Sequence, residues 1–170
     1  MLSVAVILGS DSDLPTLRPG FDTLDELGIP FEAHICSAHR TPDEAGELAS
    51  GARDRGVGVV IAAAGMAAHL AGALAARTTL PVIGVPLSSA RLDGLDALLS
   101  TVQMPSGVPV ATVAIDAAVN AAVLAAQILA VSDPALAERL EARKQTMREG
   151  VRAKDEALQR ELARRGSSAR

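Results

Sequence analysis

Five short runs rich in Val, Ile, Leu and Ala recur along the chain, at residues 3–8, 30–35, 57–62, 81–85 and 108–115. Each precedes a stretch whose apolar residues repeat every three or four positions. The first spacing marks buried strands and the second marks helices packed on one side, so their alternation predicts successive βαβ units and a five-stranded parallel sheet. A chain of 170 residues accommodates this as one α/β domain, expected over residues 1–165, with a tail at 166–170 expected to be disordered.

The helices have individual signatures. Leu14, Leu17, Phe21, Leu24 and Leu27 line one face, and Pro19 and Gly20 within it predict a kink. Thr41, Pro42 and Glu44 form a helix start, with Thr41 expected to cap and Glu44 to complete a capping box. Ala45, Leu48, Ala49 and Ala52 then form the buried stripe. Further helices are expected at 68–77, 92–99 and 116–131. The last is apolar almost all round, which predicts burial against another subunit. From residue 134 to about 165 the chain turns charged. Leu136, Leu140, Met147, Val151, Leu158 and Leu162 repeat at 11 residues, the period of a nearly straight helix. A narrow stripe with charged flanks predicts an arm laid across a partner.

Composition removes several functions. The chain has two aromatic residues of the Phe, Tyr and Trp class, Phe21 and Phe31, and a net charge of −4, without a basic patch. Nucleic acid binding draws affinity from phosphate neutralisation and ring stacking, so it is not expected here. One cysteine, Cys36, excludes an intramolecular disulfide and fits a reducing compartment. The N-terminus lacks the basic segment of a secretory signal. Residues 59–76 and 117–131 are apolar, but His69, Asn120 and Gln127 interrupt them, and neither supplies the roughly 20 apolar residues of a membrane span. A cytoplasmic location without membrane contact is expected.

In open parallel sheets ligands bind beyond the carboxyl ends of the strands. Three segments fall there: residues 9–13 (GSDSD), 37–40 (SAHR) and 65–69 (GMAAH). In the first, amides at a helix start with the Ser10 and Ser12 hydroxyls suit a phosphate, while Asp13 is either an ordinary helix cap or an acceptor for ribose hydroxyls. In the second, His39 and Arg40 set a proton shuttle beside an anion clamp, or form a solvated surface pair. His69 is either a pocket residue or a satisfied, half-buried side chain. His34 within a strand reads as structural, and Cys36 as a small hydrophobe. No metal-ligand cluster, Walker loop, dinucleotide fingerprint or serine nucleophile elbow is present in the sequence.

At these loops the chain resembles the carboxyaminoimidazole ribonucleotide mutases of bacterial purine synthesis. The matches are GSDSD at 9–13, SAHRTPD at 37–43, AGMAAHLAG at 64–72, PVIGVP at 81–86 and GLDALLSTVQMPSGVPVATVAI at 94–115. The resemblance implies a flavodoxin-like three-layer fold, a homo-octamer and a site shared between subunits. By matching position, Ser10, Asp13 and Arg40 would hold the ribonucleotide, with Ser12, Ser37, Gly65 and Leu70 beside it. His39 would be the catalytic acid and base, His69 would line the pocket around the imidazole, and Gln103, Met104 and Pro105 would lie near the site. A carboxylate would move from an exocyclic nitrogen to a ring carbon through trapped carbon dioxide, without metal or cofactor. The family usually has AGAGGAAHLPG where this chain substitutes Ala63, Met66 and Ala71, and a positive φ at Met66 would strain its side chain. Two rivals are a carboxylase of the same fold drawing carbon dioxide from solution, and a flavin carrier. Two Phe residues disfavour the carrier.

Overall fold

The structure, a computed structural model, describes residues 2–89 and 91–167. Five parallel strands, β1 (Ser3–Leu8), β2 (Phe31–Ile35), β3 (Val57–Gly65), β4 (Val82–Leu87) and β5 (Ala111–Thr112), lie in the order β2-β1-β3-β4-β5. The connecting helices are α1 (Leu14–Glu26), α2 (Pro42–Ser50), α3 (Leu70–Ala75), α4 (Leu95–Val102), α5 (Ala118–Ala130) and α6 (Pro134–Ser167). One sheet face, carrying Val4, Val6, Leu8, Val59, Ile61, Ile83 and Val85, packs on α1, α5 and the first turns of α6. The other, carrying Ala5, Ile7, Val60, Ala62 and Val82, packs on α2 and α3. Burial on both faces is why the central strands are continuous apolar runs rather than alternating ones. The α/β fold with its five-stranded parallel sheet is as the alternation predicts.

Boundaries differ for identifiable reasons. β3 runs to Gly65, since Ala64 and Gly65 continue the ladder opposite Pro86 and Leu87 of β4. β5 shrinks from the expected eight residues to Ala111–Thr112. Pro105 and Pro109 precede it and can donate no ladder bond. α4 starts at Leu95 rather than 92 because Asp93 (φ 49°) and Gly94 (φ 86°) are left-handed. α5 starts after Asp116, itself at φ 57°. α3 is shorter than expected because residues 66–69 form a turn. α6 continues through Ser167, so the tail expected at 166–170 is helical at its start; residues 168–170 lie outside the described residues.

α1 runs unbroken through Pro19 and Gly20. Gly20 also has a packing role: a Cβ there would stand 3.0 Å from the Ala118 carbonyl oxygen, so its absence lets α1 and α5 touch. Alanines at 118, 121, 122, 125 and 126, all buried, keep α5 equally close to the sheet. The sheet, α1 and the start of α6 cover this side of α5 within the chain, while Val119, Val123, Leu124 and Ile128 on its other side are only half-buried.

α6 is clipped to the end of α1. The Arg139 Nε donates to the Leu27 carbonyl at 2.8 Å, one of the carbonyls a helix end leaves unsatisfied, and Arg143 pairs with Glu26 at 2.9 Å. Leu136 is buried and Leu140 packs against the same core. Further along, Met147, Val151, Leu158 and Leu162 are exposed.

Candidate active site

The strand order reverses direction between β1 and β3, and a cleft opens there beyond their carboxyl ends. A cavity of about 680 Å³ occupies it, within the range of small-molecule sites. Its walls include Ser10, Ser12, Asp13, Ser37, His39, Arg40, Gly65, His69 and Leu70. All nine residues singled out from the sequence thus meet in one place, although they come from three loops.

The β1 loop is closed upon itself. Ser10 caps a single 3-10 turn (Asp11–Asp13), its Oγ accepting from the Ser12 amide at 3.3 Å. Asp13 reaches back, Oδ2 accepting from the Ser10 amide at 3.0 Å. The box therefore belongs to this turn, and Asp13 makes no side-chain cap on α1. The Ser10, Ser12 and Asp13 amides are thus engaged within the loop, and the Ser12 hydroxyl donates to Ser10 Oγ at 2.9 Å, so its polar side chains face the cleft already bonded to one another. Burial pushes the Asp13 carboxyl above the ordinary carboxylate range, against the lowering effect of bonds from Ser12 and Ser10, while the Asp11 charge adds to the rise.

The β2 loop is stapled by Thr41. Its Oγ1 accepts from the Ser37 amide at 3.0 Å and donates to the Ser37 carbonyl at 3.1 Å, while the Thr41 amide donates to that carbonyl at 2.8 Å. Thr41 thus holds this turn instead of capping α2, correcting the sequence expectation. The Arg40 amide donates to Ser37 Oγ at 3.2 Å. His39 and Arg40 ride the apex, both exposed. No carboxylate among the described residues pairs with the Arg40 guanidinium, leaving it available to an anion.

The β3 loop delivers His69. Met66 is left-handed (φ 53°), as its replacement of a glycine suggested, a conformation costing about 1 kcal/mol for an L residue. The Ala68 amide then donates to Met66 O at 2.9 Å and the His69 amide to Ala67 O at 2.8 Å, tightening the turn into α3. It ends with His69 Nδ1 3.2 Å from His39 Nε2, the rings tilted by 49°. Only one hydrogen fits between two such nitrogens, so one ring donates and the other accepts. His69 is therefore no isolated structural histidine.

Sequence reasoning missed a fourth wall after β4, made by Leu87, Ser88 and Ser89. The Ser88 amide donates to the Asp116 carboxylate at 2.9 Å, while Ser89 Oγ is buried without a partner. The available signal was a Ser pair at the end of the strand beside β3. Gln103, Met104 and Pro105, expected nearby, do not line this cavity; Met104 lies against Gly72 of α3.

An open parallel sheet with a polar, histidine-bearing cleft at its switch point defines an α/β protein with a site of small-molecule size. The model of the AIR carboxylase family matches residues 3–150, and the chain belongs to that family. It is 53% identical over 156 residues to the N5-carboxyaminoimidazole ribonucleotide mutase of Pyrococcus horikoshii, covering 92% of this chain and 88% of the relative. It is 55% identical over 150 residues to the Bacillus subtilis protein of that name, covering 87% and 93%. The crystal structure of Treponema denticola PurE superposes with a TM-score of 0.84 at 28% identity, covering 93% of this chain and 99% of that one.

Proposed function

We propose that the protein is an N5-carboxyaminoimidazole ribonucleotide mutase, converting that carbamate to 4-carboxy-5-aminoimidazole ribonucleotide in purine biosynthesis. The observation that carries the reading is His39, held at the apex of a rigid turn and facing a cavity that also presents an unpaired Arg40. In this reading Arg40 and the Ser10, Ser12 and Ser37 hydroxyls bind the phosphate, and Asp13 accepts from ribose hydroxyls. Gly65 and Leu70 form the floor, with His69 beside the base.

His39 gives a proton to the carbamate nitrogen as the N–C bond breaks, releasing carbon dioxide and aminoimidazole ribonucleotide. The ring carbon attacks the carbon dioxide, forming the C–C bond. Neutral His39 then takes the ring proton. Proton and carboxylate are both conserved, so one imidazole serves both steps and the chemistry calls for no cofactor. Confining carbon dioxide makes recapture effectively unimolecular. In the free protein His69 holds the His39 Nε2 position through the 3.2 Å contact, and substrate takes that place.

The domain extends over residues 1–165 in this reading, and the assembly is a homo-octamer with a site shared between subunits. Two exposed apolar stripes support association: Leu95, Leu99 and Val102 along α4 with Leu92 just before it, and Met147, Val151, Leu158 and Leu162 along α6. No described helix is long and apolar enough to cross a membrane, and the unpaired Cys36 suits the cytoplasm. The family's own description favours one rival, a carboxylase using dissolved carbon dioxide. Supplying the carbamate substrate while scavenging carbon dioxide separates them. Continued product formation is expected, and its loss would leave the carboxylase reading.

A further inference from the structure

The migrating carboxylate is an anion for which the phosphate, ribose and base contacts provide no partner. Both the carbamate and the product carry it, whereas the aminoimidazole ribonucleotide between them does not. Most hydroxyls on the cavity wall are already engaged. Ser10 Oγ donates to Asp11 at 3.1 Å, Ser12 Oγ donates to Ser10 at 2.9 Å, and Ser37 Oγ accepts from the Arg40 amide at 3.2 Å. Ser89 differs. Its Oγ is buried and finds no hydrogen-bond partner among the described residues, and no other such buried side-chain atom among them belongs to this wall. A buried hydroxyl without a partner is unfavourable, so its presence on a ligand-sized cavity points to a ligand group that meets it.

The placement of Ser89 is also secured from both sides. The Ser88 amide donates to the Asp116 carboxylate at 2.9 Å, and the Asp116 amide donates to the Pro86 carbonyl at 2.9 Å. The Asp93 amide donates to the Ser89 carbonyl at 3.2 Å. Asp116 makes its two bonds at a left-handed φ of 57°, a conformation that L residues resist. The backbone flanking Ser89 is therefore fixed before any ligand arrives.

We infer that the Ser89 hydroxyl donates a hydrogen bond to the migrating carboxylate, and so distinguishes the carboxylated nucleotides from the decarboxylated one. The inference rests on the mutase reading and deepens it. Strand order supports the assignment. The loops after β2 and β1, which bear Arg40 and Ser10, lie on one side of β3, and Ser89 follows β4 on the other. The β3 loop with His69 stands between them, Gly65 being the register partner of Leu87. A nucleotide with its phosphate at Arg40 and its base beside His69 therefore directs its far end towards Ser89. A hydroxyl bonds a carboxylate more strongly than a neutral acceptor, and rotation about its C–O bond lets the proton follow the group.

The test titrates the full chain by calorimetry with two nucleotides, aminoimidazole ribonucleotide and its 4-carboxy product. Ser89→Ala should weaken binding of the 4-carboxy nucleotide about tenfold in Kd, the low end of what one hydrogen bond to a charged group supplies. Binding of aminoimidazole ribonucleotide should change by less than about twofold, since it presents no carboxylate. The melting temperature should hold, because alanine gives up no bond within the protein. A loss for aminoimidazole ribonucleotide as large as that for the 4-carboxy nucleotide would assign Ser89 to the phosphate, ribose or base and overturn the inference. Unchanged binding of both nucleotides would overturn it too, and either result leaves the mutase reading in place. A wild-type protein that binds neither nucleotide overturns the inference and the mutase reading together.

Discussion

Replacing His39 with asparagine separates the chemistry from the fold, because the structure assigns the residue almost no structural work. His39 is exposed, and its ring bonds to His69 at 3.2 Å. The turn beneath it is held by Ser37 and Thr41, whose bonds of 2.8–3.1 Å do not involve the imidazole. The substitution should therefore cost under about 0.5 kcal/mol of stability, a melting shift of about 1–2 °C. Binding of aminoimidazole ribonucleotide should weaken only by about one neutral hydrogen bond, about 1 kcal/mol or fivefold in Kd. Turnover is different. Asparagine cannot take up and release a proton at neutral pH, and a positioned acid or base supplies about 10²–10⁴ in rate. In the proposed mechanism both transfers pass through one ring, so kcat should fall by about 10³–10⁴, or about 4–5.5 kcal/mol of barrier. Initial rates, calorimetric titration with aminoimidazole ribonucleotide and a thermal melt give the three numbers independently. A variant keeping more than about a tenth of wild-type kcat would refute the reasoning, because a group supplying even the lower end of that range cannot be lost so cheaply.

Gly84→Ala should cost about 1–3 kcal/mol and lower the denaturant midpoint, since the new Cβ would lie 2.4 Å from Thr101 Cγ2 and 2.9 Å from Val110 Cγ1; an unchanged midpoint would mean that α4 yields freely. Glu32→Gln tests an acid-dependent contribution. The Arg55 guanidinium, donating at 2.8 and 3.1 Å, holds the Glu32 carboxyl below the usual glutamate range against its partial burial. Its folded value is depressed, so its stability is present above the unfolded value and disappears as pH falls through the folded one. The variant should lose up to about 1 kcal/mol at pH 7, a gap that closes as the pH falls through the depressed folded value; a gap independent of pH would remove this assignment. Leu158→Asp with Leu162→Asp, at exposed positions of α6, should leave the melt of the α/β body unchanged but reduce the native mass; an unchanged mass would show that the arm carries no subunit contact.

Much of the fold is legible because burial on both sheet faces writes itself as unbroken apolar runs, and that signal survives without an alignment. The misread boundaries are those decided by single backbone angles. Asp93 and Asp116 both adopt left-handed φ, at 49° and 57°, and no hydrophobic period reveals this. Thr41 shows a second limit. A Thr-Pro-Asp-Glu start fits a capping box, yet the same hydroxyl has another partner four residues upstream in Ser37, and only the folded loop decides between them. The site was legible for the complementary reason: three polar loops follow three apolar strands, and a parallel sheet delivers all such loops to one edge. The Ser88–Ser89 wall escaped notice because serine after a strand is also ordinary loop composition.

The contrast between Gly84 and His39 describes how this architecture divides its labour. At Gly84 the sheet, α4 and the segment before β5 approach so closely that one methyl group has nowhere to go, and stability is concentrated in such contacts. At the carboxyl edge the loops are ordered by hydrogen bonds among their own backbones and short hydroxyl side chains, with the apex residues projecting from them. A turn stabilised in this way keeps its shape whatever the apex carries, which makes the position of His39 a property of Ser37 and Thr41. Thr41→Val, nearly equal in volume but unable to bond Ser37, should therefore lower kcat more than Kd while His39 itself remains. Rescue by Thr41→Ser would attribute the loss to the hydroxyl, whereas an unimpaired Thr41→Val enzyme would mean that the imidazole is placed by substrate and not by the turn.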